Sequence, residues 1–365
     1  MILHRYFARR FTIAFVFLST VFYALVVLVD LIEQTRKFSS LNVSLKDRLG
    51  LTLLNAPETI NQILPLIMIL TTVVLFIGLA RTSELVVTRA AGRSALRSLI
   101  APVIVALIIG SLAVAVLNPL VAATSKRYAV LSESYRSGGV SALSISGEGL
   151  WLRQGDENGQ TVIRAARSNA DGSVLFDVTF VGYEPSSGPS QRIEAGSAAL
   201  SDGQWSLRKA KVWPLNSGVN PEVNSQTHEI LRIPSTLTLD SIRESLGKPS
   251  SVSIWELRNY IRQLEQAGFS SRRHKVWFQA EIARPFFLMA MVLVAAAFTM
   301  RHTRFGGTGI AVLTAVLLGF ALYFIRSFTQ ILGENGQIPI LLAAWAPPTA
   351  AIFLALGMLL HAEDG

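Results

Sequence analysis

The chain has no cysteine among its 365 residues. A disulfide framework and any cysteine-ligated metal site are therefore excluded, in whatever compartment it sits. It also has no Gly-x-x-x-x-Gly-Lys-Ser/Thr sequence, so it cannot cradle ATP in a P-loop of its own. Charge is scarce, at 16% of residues, and the net charge of +9 is not gathered into a basic block with interleaved aromatics. That spread argues against nucleic acid as the partner. No nucleophile–base pair, no paired catalytic carboxylates and no metal-ligand spacing is visible, and His228 stands alone. The chain reads as non-catalytic.

Long apolar runs are what it has. The hydrophobic fraction is 51% and the mean hydropathy +0.44. The runs are roughly Phe11–Ile32, Ile60–Ala80, Leu99–Val121, Pro285–Met300, Ile310–Phe328 and Ile338–Leu360. Most approach the roughly 20 residues that cross about 30 Å of hydrocarbon. Their interiors show almost no acidic residue. The N-terminal residues Met1–Arg10 resemble a signal-peptide n-region, but the following run is too long and lacks a small-x-small cleavage site, so a retained first helix is expected.

Between the third and fourth runs lies a polar block, about Ala122 to His274, with strand and turn signals. Phe176, Val178 and Phe180 alternate with Asp177 and Thr179, the period of a half-buried strand. Gly155–Gly159 and Asp202–Gly203 mark hairpins. Ser253-Ile-Trp-Glu256 is a capping-box pattern; Ile254, Leu257, Ile261 and Leu264 then form an apolar stripe, and Gly268 is the stop. This helix is expected either along the membrane surface or against the β domain.

The fold class is thus an α-helical integral membrane protein: six transmembrane helices with a periplasmic all-β, jellyroll-like domain inserted between helices 3 and 4. The boundaries are 1–121 for helices 1–3, 122–250 for the β domain, 251–274 for the amphipathic connecting helix and 275–365 for helices 4–6. Arg5, Arg9, Arg10, Arg81, Arg89, Arg93, Arg97, Arg301 and Arg304 share one side in a model with both termini inside, as the positive-inside rule requires. Arg36, Lys37, Lys46 and Arg48 fall on the other side, where positive charge is normally rare.

Two segments invite a mechanism. About 82–93, Ser83, Glu84, Leu85, Val86 and Arg89 fit a short cytoplasmic helix, with Ser83 as cap, Glu84 suited to the helix dipole, and an apolar face of Leu85 and Val86. It is either a plain connector whose arginines fix topology, or a coupling helix that docks into a cytosolic ATPase. At the outer side, Asp30, Glu33 and Lys37 share a helix face, and Arg36, Lys37 and Arg326 are candidates to hold an anionic amphiphile. The plainer reading has them snorkel or pair with Asp30 and Glu33.

Over essentially its whole length the chain resembles the LptF/LptG permeases of the lipopolysaccharide export transporter. The resemblance rests on the three-plus-three helices around a β domain, Pro65 in the second helix, Ser83-Glu84-Leu85-Val86-Val87 through Ala90-Ala91-Gly92, and the lead-in Leu257–Ile261, Leu264, Gly268, Trp277 and Pro285. Gly149-Leu150-Trp151 is more similar to the G-type branch. The resemblance implies the bacterial inner membrane, lipopolysaccharide extracted from its outer leaflet, and an F-type permease, LptF, as partner. It further implies that Glu84 contacts an ATPase dimer, LptB, which carries the ATP and magnesium; this chain binds no cofactor. The first and fifth helices would be lateral gates, and the β domain would pass lipid toward the bridge protein LptA, with LptC nearby. The competing readings are a permease for another lipid or for lipoproteins, an ion-coupled secondary transporter, and a membrane-anchored enzyme or sensor.

Overall fold

Backbone amides have no water partner inside hydrocarbon, so a long apolar run closes its own hydrogen bonds as a helix. The computed structural model describes residues 2–39, 43–90, 94–137, 143–146, 149–156, 159–169, 172–184, 188–215, 220–238, 242, 248–300 and 308–364. Within these, six helices are long and apolar enough to cross a membrane. The first span is Ile2–Lys37 and the second Leu45–Arg81. The third runs through Ala95–Leu112, a π-helical turn at Ala113–Leu117, and Asn118–Ser137. The fourth to sixth are Arg272–Thr299, Thr308–Glu334 and Ile340–Asp364.

Two boundaries differ from the sequence reading. Composition sets the start of the β block at Ala122, yet the third helix continues to Ser137, and the chain divides into its two units between Leu131 and Ser132. Hydropathy marks where lipid ends, whereas the helix is carried further by side-chain bonds, Ser125 Oγ to Glu58 at 2.9 Å among them. The fourth apolar run begins at Pro285 and the boundary for helices 4–6 at 275, while the helix itself starts three residues earlier, at Arg272, and contains the proline. Glu281 and Arg284 interrupt the apolar run but not the helix, because they pair with each other at 2.5 Å.

The membrane unit comprises Met1–Leu131, Ser253–Trp255 and Arg272–Gly365. The second and fourth spans form its centre: 61% and 72% of their apolar windows are buried, against 6% and 17% for the first and fifth. Small residues let the centre close up, as usual where apolar transfer does not drive helices together. Ala290, Ala295 and Ala296 of the fourth span are fully buried. At Gly110 of the third span, a Cβ would stand 2.6 Å from the Pro285 Cα. A contact that short requires the two helices to part, and overpacking costs about 1–3 kcal/mol or more. Gly110→Val is therefore expected to cut the yield of folded protein from membranes sharply, while Gly78→Val, with open space around it, leaves the yield near wild type.

The second unit, Ser132–Val252 with Glu256–Ser271, is built on seven antiparallel strands in the order β1 to β7. They are Leu143–Ser146, Gly149–Asp156, Gly159–Ser168, Val174–Glu184, Gly188–Ser201, Gln204–Pro214 and Gln226–Pro234. Each strand pairs with the next, so the all-β domain is an antiparallel meander in its connectivity. Both expected hairpins are present as β2–β3 and β5–β6; the tip of the second, Asp202-Gly203, has the two positive φ angles, 49° and 71°, of a type I′ turn.

Alternation does not run straight through β4. Leu175, Val178 and Phe180 are buried, but Phe176 is 37% exposed, so the expected common face of Phe176, Val178 and Phe180 breaks at its first member. The cause is Asp177, whose φ of 52° turns the strand over. Asp177 and Gly196 fall between the pairs Phe176–Ser197 and Val178–Ala195, and Gly196 and Lys209, with φ of 53°, between Ala195–Ala210 and Ser197–Arg208. The inward phase slips at the same row in β5 and β6: Ile193 and Ala195 give way to Ala198 and Leu200, and Trp205 and Leu207 to Ala210. A bend line thus crosses the sheet. The connecting helix, Ile254–Gln266, brings Leu264 and Tyr260 to the β core and ends as expected at Gly268, φ 86°.

Candidate functional site

The short helix after the second span is Glu84–Ala90. Ala91, Gly92 and Arg93 of the expected segment lie outside the described residues, as do Arg301 and Arg304, and Arg89 is described in its backbone only. Ser83 begins the helix through its carbonyl, which accepts from the amides of Val86 and Val87, both at 3.1 Å. Its φ of 57° makes the corner sharp. Glu84 is held from two sides: Arg10 Nη1 lies 3.2 Å from its Oε1, and Thr82 Oγ1 donates to the same oxygen at 2.9 Å. The Arg10 guanidinium also lies 4.8 Å from the Tyr6 ring centre. The first span and the Glu84–Ala90 helix therefore meet through one carboxylate.

The apolar face differs from the one expected. Leu85 is 8% exposed and belongs to the membrane core, so it anchors the helix. Val86 and Val87, at 55% and 67% exposure, are the residues presented outward. On a helix, neighbours point about 100° apart, and seating Leu85 inward turns the next two out.

The three candidate lipid contacts occupy two settings. Lys37 Nζ donates to Tyr128 Oη at 3.3 Å and lies over the Tyr128 and Phe38 rings, while Arg36 is exposed. Asp30 is buried and accepts from Asn55 Nδ2 at 2.7 Å and from Gln34; Glu33 is exposed. Arg326 stacks over Phe287, 5.1 Å from the ring centre, and feels the charges of Arg284 and Glu281. The described contacts of Lys37 and Arg326 share no residue.

A buried polar cluster escaped the sequence reading, which found the span interiors nearly free of acids. Glu281 is fully buried and Arg284 6% exposed. Arg284 also donates to Asn61 Oδ1 of the second span, and Asn118 Nδ2 of the third span donates to Glu281 Oε2 at 3.2 Å. Asn118 Oδ1 in turn accepts the amide of Ile254 at 2.9 Å, so the connecting helix is capped from outside; among the described residues, Ser253 Oγ accepts from Trp255, at 3.4 Å. The i, i+3 spacing of Glu281 and Arg284 just before Pro285 was the available signal.

In the β unit, a cavity of 140 Å³ is lined by Phe180, Ile193, Ile233, Gln154, Thr161 and Gln191. At about 30 Å³ per water, it holds only a few small groups. Among the described residues, no group of His, Asp or Glu side chains is arranged to hold a metal ion.

The family model for the lipopolysaccharide export system permease LptF/LptG matches residues 5–361. The lipopolysaccharide export system permease protein LptG of Haemophilus influenzae is 23% identical over 365 residues, spanning 95% of this chain and 96% of that protein. LptG of Escherichia coli is 24% identical over 316 residues, covering 85% of this chain and 84% of its own length. With its six spans, its inserted antiparallel sheet and a match from near the first residue to near the last, this chain belongs to the LptF/LptG family of lipopolysaccharide export system permeases.

Proposed function

We propose that this permease takes lipopolysaccharide from the outer leaflet of the bacterial inner membrane and passes it through its β domain toward a periplasmic bridge. It works as a heterodimer with a homologous F-type permease, and a separate cytosolic ATPase dimer, with ATP and magnesium, supplies the energy. Both termini lie in the cytoplasm and the β domain in the periplasm; the LptC and LptA roles implied by the resemblance belong to the same assembly. The observation that carries the reading is the Glu84–Ala90 helix, anchored by Leu85, pinned to Arg10 and presenting Val86 and Val87 outward. A connector that only fixed topology would need neither the pin nor the outward valines. The sparsely buried first and fifth spans support a role as movable walls.

Energetics favour an apolar track that stays unbroken. Each methylene taken from lipid costs about 0.8 kcal/mol unless replaced, so a multi-acyl lipid must stay in apolar contact throughout. The β core offers Phe180, Ile193 and Leu200 at or near its inner face, while the 140 Å³ cavity is too small to swallow the lipid whole. Chains would then slide along the sheet.

Proteoliposomes containing this chain, its F-type partner and the ATPase are expected to release lipopolysaccharide only when ATP is present. ATP-independent release, or release of lipoprotein instead, would overturn the assignment. Photocrosslinkers at Arg36, Lys37 and Arg326 are expected to label lipopolysaccharide at Arg36 most strongly, because Lys37 and Arg326 are engaged with aromatic rings at rest. Absence of adducts at all three would remove them as lipid contacts.

A further inference from the structure

Three spans are irregular at the places where the buried polar cluster crosses them. Asn61 stands four residues before Pro65, and Glu281 four before Pro285. Proline lacks the amide that would bond the carbonyl four residues back, so each helix is missing a rung at its polar residue. In the third span Pro119 follows Asn118 and likewise leaves the Ala115 carbonyl without its helical partner. That carbonyl accepts instead from the Trp255 indole at 3.2 Å. The same stretch is the π-helical turn, closed by the Asn118 amide on the Ala113 carbonyl. A π-turn holds one residue more than an α-turn and is a recurrent feature of working sites.

We infer that Asn118 is the positioning residue of a buried relay, Asn61–Arg284–Glu281–Asn118–Ile254, that links the lever of the coupling segment to the start of the connecting helix. The inference rests on the proposed transport function. Asn61 is 20 residues from Arg81, at the end of the second span that adjoins Glu84. Along a helix that is about 30 Å, so the span carries a displacement from one end to the other. At Asn61 the displacement meets Arg284, then Glu281, then Asn118, whose carbonyl oxygen caps Ile254.

The π-turn gives this relay two states. With the turn in place, the Asn118 amide group reaches Glu281 and Ile254 together. If the extra residue moves along the third span and the turn becomes α-helical, Asn118 rotates by about 100° and leaves both. Engaged, the second, third and fourth spans move with the first turn of the connecting helix; released, they do not. Glu281 keeps Arg284 as partner in either state, so no charge is left bare by the change.

The test uses the full complex of this chain with its F-type partner and ATPase, and reads lipopolysaccharide released per ATP hydrolysed. Asn118→Ala is expected to keep ATP hydrolysis while lowering that ratio about tenfold, within the usual range for coupled sites. A residue that only held the fold would lower release and hydrolysis together and leave the ratio unchanged; that result overturns the relay. Because this chain has no native cysteine, Ala115→Cys with Trp255→Cys gives the one cysteine pair within it for a cleavable thiol crosslinker, used with cysteine-free versions of the partner subunits. Bridging the pair is expected to stop release, and cleaving the bridge to restore it; full release through the bridged protein overturns the inference even if Asn118→Ala fails to fold. If the unaltered complex shows no ATP-driven release, the transport function fails and not the relay alone.

Discussion

Replacing Glu84 with alanine is expected to abolish ATP-driven lipopolysaccharide release while leaving the membrane yield and thermal stability of the protein close to wild type. The two halves of that expectation come from different magnitudes. The Arg10–Glu84 pair is partly open, with side-chain exposures of 39% and 31%. Exposed pairs stabilise by roughly 0–1 kcal/mol, and Leu85 stays seated in the core as the anchor of the helix. The fold therefore survives. Coupling is another matter, since the carboxylate joins the first span to the segment that would receive the ATPase. Glu84→Arg should be the more severe variant, because it sets a like charge against Arg10. The exchanged pair Arg10→Glu with Glu84→Arg separates the two roles of the carboxylate. It restores the pin within this chain but presents the wrong charge to a partner. Release recovered in the exchanged pair would mean that the internal pin alone matters; release still absent, with the ATPase no longer bound, would mean that Glu84 is a contact. Normal release and normal ATPase binding in Glu84→Ala would refute both.

The six spans were legible because lipid imposes a one-dimensional rule: an apolar run of sufficient length must be a helix. What that rule reads is the edge of hydrocarbon, so it ended the third helix near Val121 rather than at Ser137, and it began the fourth apolar run at Pro285, inside a helix that starts at Arg272. Glu281 and Arg284 break the apolar run without ending the helix, because they satisfy each other inside it. Their bonds to Asn61 and Asn118 join residues 223 and 163 positions apart in sequence, and no local pattern encodes such a partner. The coupling segment was legible in composition, from Ser83 to Arg89, but not in facing. Leu85 and Val86 are equally apolar on paper, and only the packed core tells which one turns inward. In the β unit the hairpin turns announced themselves through Asp202-Gly203, whereas the slip at Asp177 did not. A positive φ at Asp177 or Lys209 is set by the bend shared across neighbouring strands, not by the residue's own preference.

Arg284→Met is expected to be the most destabilising single change in the membrane unit. It leaves the Glu281 carboxylate fully buried without its ion-pair partner, with the Asn118 amide still donating to it and the Arg326 charge within reach but not bonded to it among the described contacts. Removing one member of a buried ion pair costs about 3–5 kcal/mol, a large share of the roughly 5–15 kcal/mol that holds a typical domain together. The paired change Glu281→Gln with Arg284→Met is expected to recover most of the loss. The glutamine carbonyl still accepts from Asn118, while the methionine fills the volume of the arginine stem without a charge to solvate. Thermal unfolding of the detergent-solubilised protein measures both, and equal destabilisation of the single and paired variants would show that the charges themselves are not what matters. The comparison also bears on why a chain so poor in charge keeps two of them in its interior. If the neutral pair matches or exceeds the wild type in stability but lowers lipopolysaccharide release per ATP, then Glu281 and Arg284 are retained for directional contact with Asn118 and Asn61. A directional bond of this kind can be made and broken as a unit when the spans move, which an apolar contact of the same size does not offer.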